Sequence, residues 1–522
     1  MNAKKKIGII DLTTNSSTRS LYKHILHSNY ASVMPQAIGV WCQQAGHDVT
    51  LLCYTGFGDV VEDLPDNLDL AFIGTFTQGA QLAYALSNRL RSEGIVTVLG
   101  GPHARCYPED AQKYFDYVLG FTDKSVIREV LSDCSQYRPT GTYLSAKQQP
   151  TALPSVRERW QFIEPILQKA PLVKGVPMLG SMGCPYTCAF CIDASIPYRP
   201  FDFDVIKDDL RFLLGQFTRP LVGWHDPNFG IRFDDYMGAI EEAVPSDSIT
   251  FVAESSLSLL SEPHLKRLKR NGFKAILPGI ESWYDLGNKS KTGSRVGLEK
   301  VQKVSDQVNT ILKYIPYVQT NFVFGLDTDE GAEPFELTKQ FVAMTPGAYP
   351  SYNLLTAYGR AAPLNLDYQQ TNRVIPLPFH FLNNDMMNVK PNNYSWTEFY
   401  KHMVDLGNHT FSWKAIANRC KANDEPLAGG LTVPRSLSTK RHKIGRYAQV
   451  LQQLESDSEF RAYFEQETAE LPQFYINWIR KDLGPLRDWL PEGALYYDPN
   501  AYLKSEQAND TKVVALKELG GE

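Results

Sequence analysis

The chain has 522 residues, of which 43% are hydrophobic and 21% are charged, and its formal net charge is −5. This profile is typical of a folded protein with two or three domains and excludes a largely disordered chain. The acidic balance and the lack of a dense Lys/Arg run argue against a nucleic-acid binder or a polybasic membrane anchor, so small molecules are the expected partners.

The sequence predicts a cytoplasmic location. Residues 1–6 are basic but lead into a strand-like run, not into the apolar core of a signal peptide, and no apolar stretch has the length of a transmembrane segment. Five of the eight cysteines are scattered, which suits reduced thiols: Cys42, Cys53, Cys106, Cys134 and Cys420.

Residues 1–135 alternate between strand and helix patterns. This alternation, with short connections, predicts an α/β domain with a parallel, doubly wound sheet, whose ligands bind at the carboxyl ends of the strands. The predicted strands are Ile7–Ile10, Val49–Cys53, Asp69–Gly74 and Val96–Leu99, and the predicted helices are Met34–Ala45 and Gln81–Arg91.

Small and polar residues follow three of these strands. They would let the backbone approach a flat or bulky ligand closely, although a Gly-Gly pair alone is more often a tight turn. The candidate ligand-binding residues are Thr13, Asn15, Ser16, Gly74, Thr75, Phe76, Thr77, Gln78, Gly100, Gly101, Pro102 and His103.

Residues 136–175 contain Pro139, Gly141, Pro150 and Pro154 among polar residues, which is the composition of a linker. Residues 176–364 then resume the strand-helix pattern, with polar residues at the strand ends. Successive units of this kind predict a barrel whose active face is its carboxyl end. The strand-end candidates are Asp226, Glu254, Ser255 and Glu281; any one of them alone could equally be a helix cap or a solvated charge.

Cys184, Cys188 and Cys191 have the spacing C-x3-C-x2-C, directly after the first of these strands. Three thiolates can hold a four-iron cluster and leave one iron open to another ligand. A closed zinc site would need a fourth ligand nearby, and the next histidine, His225, lies far along the chain. Three buried thiols acting as small hydrophobic residues are the less favoured alternative.

With Phe190 before the last thiol, this motif resembles the signature of the radical S-adenosylmethionine (SAM) enzymes. The resemblance implies a partial, six-stranded barrel, a 4Fe-4S cluster on the three cysteines, and SAM bound to the fourth iron. Glu254 and Glu281 look like the SAM-contacting strand ends of that family, and Asp226 resembles its motif after the second strand.

The runs Gln44–Val49 and Val98–Ala104 resemble the cobalamin-binding, Rossmann-like domain that precedes the barrel in cobalamin-dependent radical SAM enzymes. The D-x-H-x-x-G motif that supplies a histidine to cobalt is absent, because Asp11–Ser16 reads DLTTNS, and His24 and His27 come too late. Either cobalamin binds without a protein histidine, with residues 76–78 under the cobalt, or the domain has lost the cofactor. The retained loops favour binding.

Residues 365–522 are expected to form a mostly helical C-terminal extension. The stretch 365–413 is rich in aromatic residues and prolines. It could cap the barrel and shape a substrate cavity, or simply form the core of an added helical domain. His380, His402 and His409 receive no role.

The resemblance implies a cobalamin-dependent radical SAM methyltransferase that acts on an unactivated carbon of a small molecule. In that family, one SAM methylates cobalamin, and a second SAM gives a 5′-deoxyadenosyl radical that removes a substrate hydrogen before the methyl group is transferred. A flavodoxin- or ferredoxin-type protein is the implied electron donor.

Two alternatives remain open at this stage. One is a cobalamin-bound radical SAM enzyme that catalyses a rearrangement, cyclisation or oxidation, and the other is a non-catalytic cobalamin and Fe-S sensor. A methylthiotransferase is disfavoured because the N-terminal domain lacks its own three-cysteine set. Only Cys420 follows the cysteine motif, so an auxiliary cluster lacks ligands.

Overall fold

The computed structural model describes residues 3–16, 31–170, 172–194, 196–284, 294–423, 425–501 and 503. His24, His27 and the end of the polar loop after the first strand lie outside the described residues. Two six-stranded parallel sheets dominate the fold, and a set of C-terminal helices packs against both.

The N-terminal sheet has the strand order β2-β1-β3-β4-β5-β6, with every pair parallel. Its strands are β1 Lys6–Leu12, β2 Asp48–Tyr54, β3 Leu70–Thr75, β4 Val96–Gly100, β5 Tyr117–Leu119 and β6 Thr142–Leu144. The helices are α1 Val33–Gln44, α2 Ala80–Ser92, α3 Pro102–Cys106, α4 Pro108–Ala111 and α5 Lys124–Asp133. The order reverses at β1, so β1 and β3 flank the crevice in which such sheets bind ligands.

The buried, apolar strands explain why this sheet is covered on both faces. Six of the seven residues of β1 are buried, as expected for a parallel strand between two helical layers. Ile7 and Ile9 face one layer with Trp41 of α1, whereas Ile10 and Leu12 belong to the other core with α2. The doubly wound sheet predicted from the sequence is therefore confirmed.

The segment 136–175 differs from the predicted linker. It contains β6 and a fourteen-residue helix, α6 Val156–Lys169, which begins with a capping box between Ser155 and Glu158. Phe162 packs against Gly39 of α1, and Arg159 donates a 2.7 Å hydrogen bond to Gln36. The prolines on which the linker prediction rests, Pro139, Pro150 and Pro154, all lie before this helix.

The second sheet has the sequential order β7-β10-β11-β12-β13-β14, and all its pairs are parallel. Its strands are β7 Gly175–Met178, β10 Leu221–Trp224, β11 Thr250–Ser256, β12 Phe273–Glu281, β13 Tyr317–Phe324 and β14 Tyr349–Leu354. A short antiparallel pair, β8 Ser181–Met182 and β9 Arg199–Pro200, follows β7. The sheet is a six-stranded open barrel with β7 and β14 at its edges.

The intervening helices are α7 Phe203–Gln216, α8 Phe233–Ala243, α9 Glu262–Arg270, α10 Gly297–Leu312 and α11 Glu333–Met344. The C-terminal part is helical, as predicted, with α12 Pro363–Gln370, α13 Trp396–Thr410, α14 Trp413–Lys421, α15 Pro426–Ser438, α16 Gly445–Ser456, α17 Ser458–Phe464 and α18 Gln473–Leu483. A π-helix, Thr439–Ile444, links α15 to α16.

One contiguous core joins the N-terminal sheet, the barrel and the C-terminal helices. Phe379 stacks on Tyr497 at 4.2 Å and packs edge-on against His103 at 4.7 Å. This shared core fixes the two sheets relative to each other. Within the described part of the chain, no helix is both long enough and apolar enough to cross a membrane. The boundaries between domains stay a prediction.

Candidate active site

Three adjoining cavities lie where the carboxyl ends of the two sheets face each other. We call them the sheet-edge groove, about 250 Å³, the central cavity, about 380 Å³, and the barrel-end cavity, about 310 Å³. Phe76 and Pro102 line both the groove and the central cavity. Glu281, Asn353 and Asn384 line both the central and the barrel-end cavities, so the central cavity adjoins the other two.

The sheet-edge groove is built from the loops after β3 and β4. Six of the candidate residues line it: Gly74, Thr75, Phe76, Gly100, Gly101 and Pro102. The side chain of Phe76 is 55% exposed, unusual for a large apolar residue and consistent with a surface that a ligand covers. Thr77 and Gln78 line the central cavity instead.

The two glycines after β4 have different roles. Gly101 has φ +92°, and a Cβ there would lie 2.6 Å from the backbone oxygen of Thr75, so only glycine fits. A Cβ on Gly100 would meet nothing within 4 Å. Gly100 therefore borders open space at the groove, and its bare backbone forms the kind of cradle in which the rim of a corrin ring can lie.

Asp11 and Ser32 close one end of the groove. The Asp11 carboxylate accepts hydrogen bonds from the Ser32 N–H at 2.5 Å and from the Ser32 hydroxyl at 3.1 Å. Burial raises the pKa of Asp11 to about 6 because the charged form is poorly solvated. A carboxyl with this pKa is mostly ionised at pH 7, so the groove combines apolar walls with one acidic group.

The cysteine loop runs between β8 and β9. Gly183 has φ +70°, and a Cβ there would lie 2.3 Å from the oxygen of Pro197, so the loop can close only with glycine. The Cys184 N–H donates to Ile196 O at 3.2 Å, and the Cys191 N–H donates to Cys188 O at 2.8 Å. Cys184 and Cys188 are buried, whereas Cys191 and Phe190 line the central cavity.

The donor set of this loop fits an iron-sulfur cluster. Thiolates are the ligands of such clusters, and the Asp193 N–H donates to Cys191 Sγ at 3.4 Å, a contact of the kind that tunes cluster-bound sulfur. Within the described ranges, no three His, Cys, Asp or Glu side chains form a ready-made metal site. The three thiols of the loop would supply the ligands of a cluster bound here.

A residue of the N-terminal domain, which the sequence analysis did not single out, clamps this loop. Arg105 donates a 2.9 Å hydrogen bond to Ile192 O and pairs with Asp193 at 3.4 Å. From the other side, the Leu364 N–H donates to Ala189 O at 2.9 Å. Arg105 and Leu364 thus hold the cysteine loop from two sides. No sequence pattern marks Arg105, because the contact spans 87 residues.

The barrel-end cavity collects the strand-end residues of β11 and β12. Glu254, Ser255 and Glu281 line it together with the amides of Asn228 and Asn321. Glu281 has φ +67°, which is rare for a residue other than glycine, at the point where the β12–β13 register shifts. Strained backbone of this kind is concentrated at functional sites, and here it turns the carboxylate toward two cavities at once.

Asp226 differs from its predicted role as a cofactor contact. It is 1% exposed, lines none of the three cavities, and accepts hydrogen bonds from Gly180 N–H at 3.0 Å, Ser181 Oγ at 2.6 Å and Tyr236 Oη at 2.6 Å. Its carboxylate therefore faces the turn between β7 and β8, just before the cysteine loop. The motif drew attention to the correct strand end, but the side chain supports the loop rather than a ligand.

His103 is also directed away from the cavities. It is fully buried, 2.7 Å from the Tyr84 hydroxyl, which itself donates to Asp110 at 2.9 Å. Because that hydroxyl proton is committed to Asp110, His103 Nε2 must be the donor to Tyr84. Burial lowers the pKa of His103 to about 3, so the ring is neutral. The candidate thus belongs to the interdomain core.

The three candidates after β1 do not line the groove: Thr13 bonds to the end of β2, and Asn15 and Ser16 bond to the C-terminal part of the chain. The Thr13 hydroxyl donates to Tyr54 O at 2.9 Å, the Asn15 amide to His380 O at 3.3 Å, and the Ser16 hydroxyl to Asp482 O at 3.2 Å. The contacts of Asn15 and Ser16 could not be foreseen, because their partners lie 365 and 466 residues away.

Comparison with solved structures shows a fold similar to those of proteins described as cobalamin-dependent radical SAM enzymes, so the fold predicted from the sequence is confirmed. The chain is similar to the radical SAM methyltransferase TsrM of Kitasatospora setae, solved with cobalamin and a [4Fe-4S] cluster bound. The TM-score is 0.52 at 12% identity, with 72% of this chain and 76% of that chain covered. It is also similar to the cobalamin-dependent SAM radical enzyme OxsB, solved with aqua-cobalamin and SAM, with a TM-score of 0.55 at 11% identity and coverage of 98% and 81%.

Among curated proteins, the chain is similar to two methyltransferases of Chlorobaculum tepidum. It is 23% identical to bacteriochlorophyllide d C-12(1)-methyltransferase, over 58% of this chain and 66% of that protein. It is 23% identical to bacteriochlorophyllide d C-8(2)-methyltransferase, over 72% of this chain and 84% of that protein. The chain thus spans just under two thirds of the first relative. No protein-family model matches the sequence.

Proposed function

We propose that the protein is a cobalamin-dependent radical SAM methyltransferase, which transfers a methyl group to an unactivated carbon of a small molecule. The observation that carries the proposal is the shared lining of the central cavity. Phe76 and Pro102 of the sheet-edge groove, Cys191 of the cysteine loop and Glu281 of the barrel end all border this one space. A substrate there would lie between both cofactor sites.

Each of the three cavities suits one part of this reaction. The groove offers bare backbone and apolar walls for a corrin. The barrel-end cavity offers the carboxylates of Glu254 and Glu281, which can accept hydrogen bonds from the ammonium and ribose hydroxyls of SAM. When bound, the cluster with SAM supplies a carbon-centred radical, and the corrin supplies the methyl group. Cys184, Cys188 and Cys191 would hold the cluster.

The central cavity supports a small molecule as substrate. Its volume of about 380 Å³ falls at the small end of the usual range for ligand sites. Apolar walls from Leu354, Leu355 and Leu382 alternate with the amides of Asn383 and Asn384. This lining can exclude water from a radical while it orients a substrate through a few hydrogen bonds. A flavodoxin- or ferredoxin-type donor and a cytoplasmic location complete the proposal.

The test uses anaerobically reconstituted protein with hydroxocobalamin, dithionite and SAM that carries a deuterated methyl group. Bacteriochlorophyllide d is the first probe substrate, followed by metabolite extracts. The proposal expects 5′-deoxyadenosine, S-adenosylhomocysteine and a product that gains one deuterated methyl group. Cys191→Ala should abolish 5′-deoxyadenosine.

Two results would reject methyl transfer. 5′-Deoxyadenosine with an unmethylated product would indicate a rearrangement or oxidation instead. A protein that binds corrin and cluster but never cleaves SAM would be a sensor.

A further inference from the structure

The end of strand β10 presents consecutive residues to different surroundings. Trp224 and Asp226 are 2% and 1% exposed, whereas the side chain of His225 between them is solvent-accessible and lines the sheet-edge groove. This follows from the alternation of side chains along a strand. A barrel histidine therefore reaches into a groove that is formed mainly by the N-terminal domain.

His225 stands on a rigid support. Its N–H donates to Met178 O of β7 at 2.8 Å, which continues the parallel pairing of the two strands. On one side Trp224 packs among the rings of Phe229 and Phe251, and on the other Asp226 is fixed by its three hydrogen bonds. A residue held in this way keeps its position when a ligand binds, which reduces the entropic cost of binding.

The chemistry of this imidazole suits an amide. The ring is reachable from the groove, and the protein atoms around it reduce its solvation and lower its pKa, so the neutral form prevails at pH 7. A neutral imidazole offers one donor and one acceptor, and so does a carboxamide. The rim of a corrin ring carries carboxamide side chains.

We propose that His225 binds a rim carboxamide of the corrin in the sheet-edge groove, so that the barrel and the N-terminal domain grip the cofactor together. This inference rests on the proposed function. Because Asp226 holds Gly180 and Ser181 ahead of the cysteine loop, the two consecutive residues that follow β10 would fix the corrin and the loop relative to each other. His225 is thus a binding and positioning residue.

The test measures dissociation constants of anaerobic, cluster-reconstituted protein for hydroxocobalamin and for diaquacobinamide. Cobinamide keeps the rim amides but lacks the nucleotide tail. We expect His225→Leu to bind both about tenfold more weakly, the effect of one lost hydrogen bond. His225→Gln, which can still pair with an amide, should lose less. His409→Leu replaces an exposed histidine of α13 and should bind as the wild type does.

Three results would overturn the inference: unchanged affinity of His225→Leu, a loss with cobalamin but not with cobinamide, or a nitrogen splitting in the cob(II)alamin EPR spectrum that disappears in this variant. The last would mean that His225 ligates cobalt. If His225→Leu unfolds at lower denaturant than the wild type, His225→Gln and His225→Asn decide the question. A wild type that binds neither corrinoid would instead reject the proposed function.

Discussion

The carboxylate of Asp226 accepts a 2.6 Å hydrogen bond from the hydroxyl of Ser181, three residues before the first cysteine of the metal-binding motif. The same carboxylate accepts from Gly180 and Tyr236, so three donors from two elements converge on one buried group. Burial raises the pKa of Asp226, while these hydrogen bonds oppose that rise. The geometry makes this residue the support of the cysteine loop.

Replacing this support should loosen the loop. We expect Asp226→Ala to lower the free energy of unfolding by at least about 2 kcal/mol, because it leaves buried donors unsatisfied. Asp226→Asn should cost less, since its oxygen can still accept from Gly180. Urea unfolding measures the loss of stability, and the iron bound per chain after reconstitution measures how well the loosened loop still holds a cluster. Asp234→Ala removes a carboxylate that is 88% exposed and should change neither; an equal effect of both alanine variants would contradict the role.

The three thiols of the motif should be individually required for the cluster. We expect about four irons per chain in the reconstituted wild type and a substoichiometric, unstable content in each of Cys184→Ala, Cys188→Ala and Cys191→Ala. Cys420→Ala removes a thiol of α14 and should keep the wild-type content. Iron and sulfide analysis with the visible spectrum measures this. Zinc in place of iron, or full iron content in a motif variant, would refute the assignment.

Gly100 and Gly101 form a matched pair that separates ligand binding from folding. Gly101→Ala should cost about 1–3 kcal/mol of stability, because its left-handed backbone and its contact with Thr75 forbid a Cβ. Gly100→Leu should fold normally but exclude the corrin, since its side chain would enter open space at the groove. Thermal melts and hydroxocobalamin binding distinguish the two. Normal corrin binding by Gly100→Leu would place the cofactor elsewhere.

The sequence predicted both sheets because their strands are apolar and their helices have clear ends. Strand β14, with the pattern Tyr-Pro-Ser-Tyr-Asn-Leu, is hard to recognise in the sequence, since a proline and two polar residues interrupt a strand that is paired on one side only. Helix α6 was missed because the prolines before it suggested a linker.

Residues that line the cavities were predictable where they stand at the end of a strand, as Gly100 and Glu281 do. They were not predictable where the decisive contact is distant in sequence. Arg105 meets the cysteine loop 87 residues away, and Asn15 meets His380 at a separation of 365 residues. For His225 the strand alternation was readable, but only the packing of the two domains shows which cavity it enters.

Glu281 should contribute to SAM binding through its charge. We expect Glu281→Gln to weaken SAM binding by about ten- to a hundredfold, the usual range for a lost charge-assisted hydrogen bond. Equilibrium dialysis with cluster-loaded protein measures the change. Glu336→Gln alters a surface carboxylate that pairs with Lys339 on α11 and serves as the control. If SAM binds equally well to both variants, the carboxylate has another role.

Asp11 should make stability depend on pH. Its pKa rises from 3.8 when unfolded to about 6 in the fold, so between these values the folded state holds the proton more tightly. The folded protein is therefore favoured below this window and loses stability as the pH rises through it.

Asp11→Asn has no such proton to lose. The amide of the variant can still pair with Ser32. Between pH 4.5 and pH 7, the difference in free energy of unfolding should therefore shift by about 2 kcal/mol in favour of the variant. Urea unfolding at the two pH values measures this gain, and the subtraction cancels other buried acids such as Asp209 and Asp329, which burial also shifts upward in pKa. A stability difference that does not change with pH would show that Asp11 is already charged throughout the window.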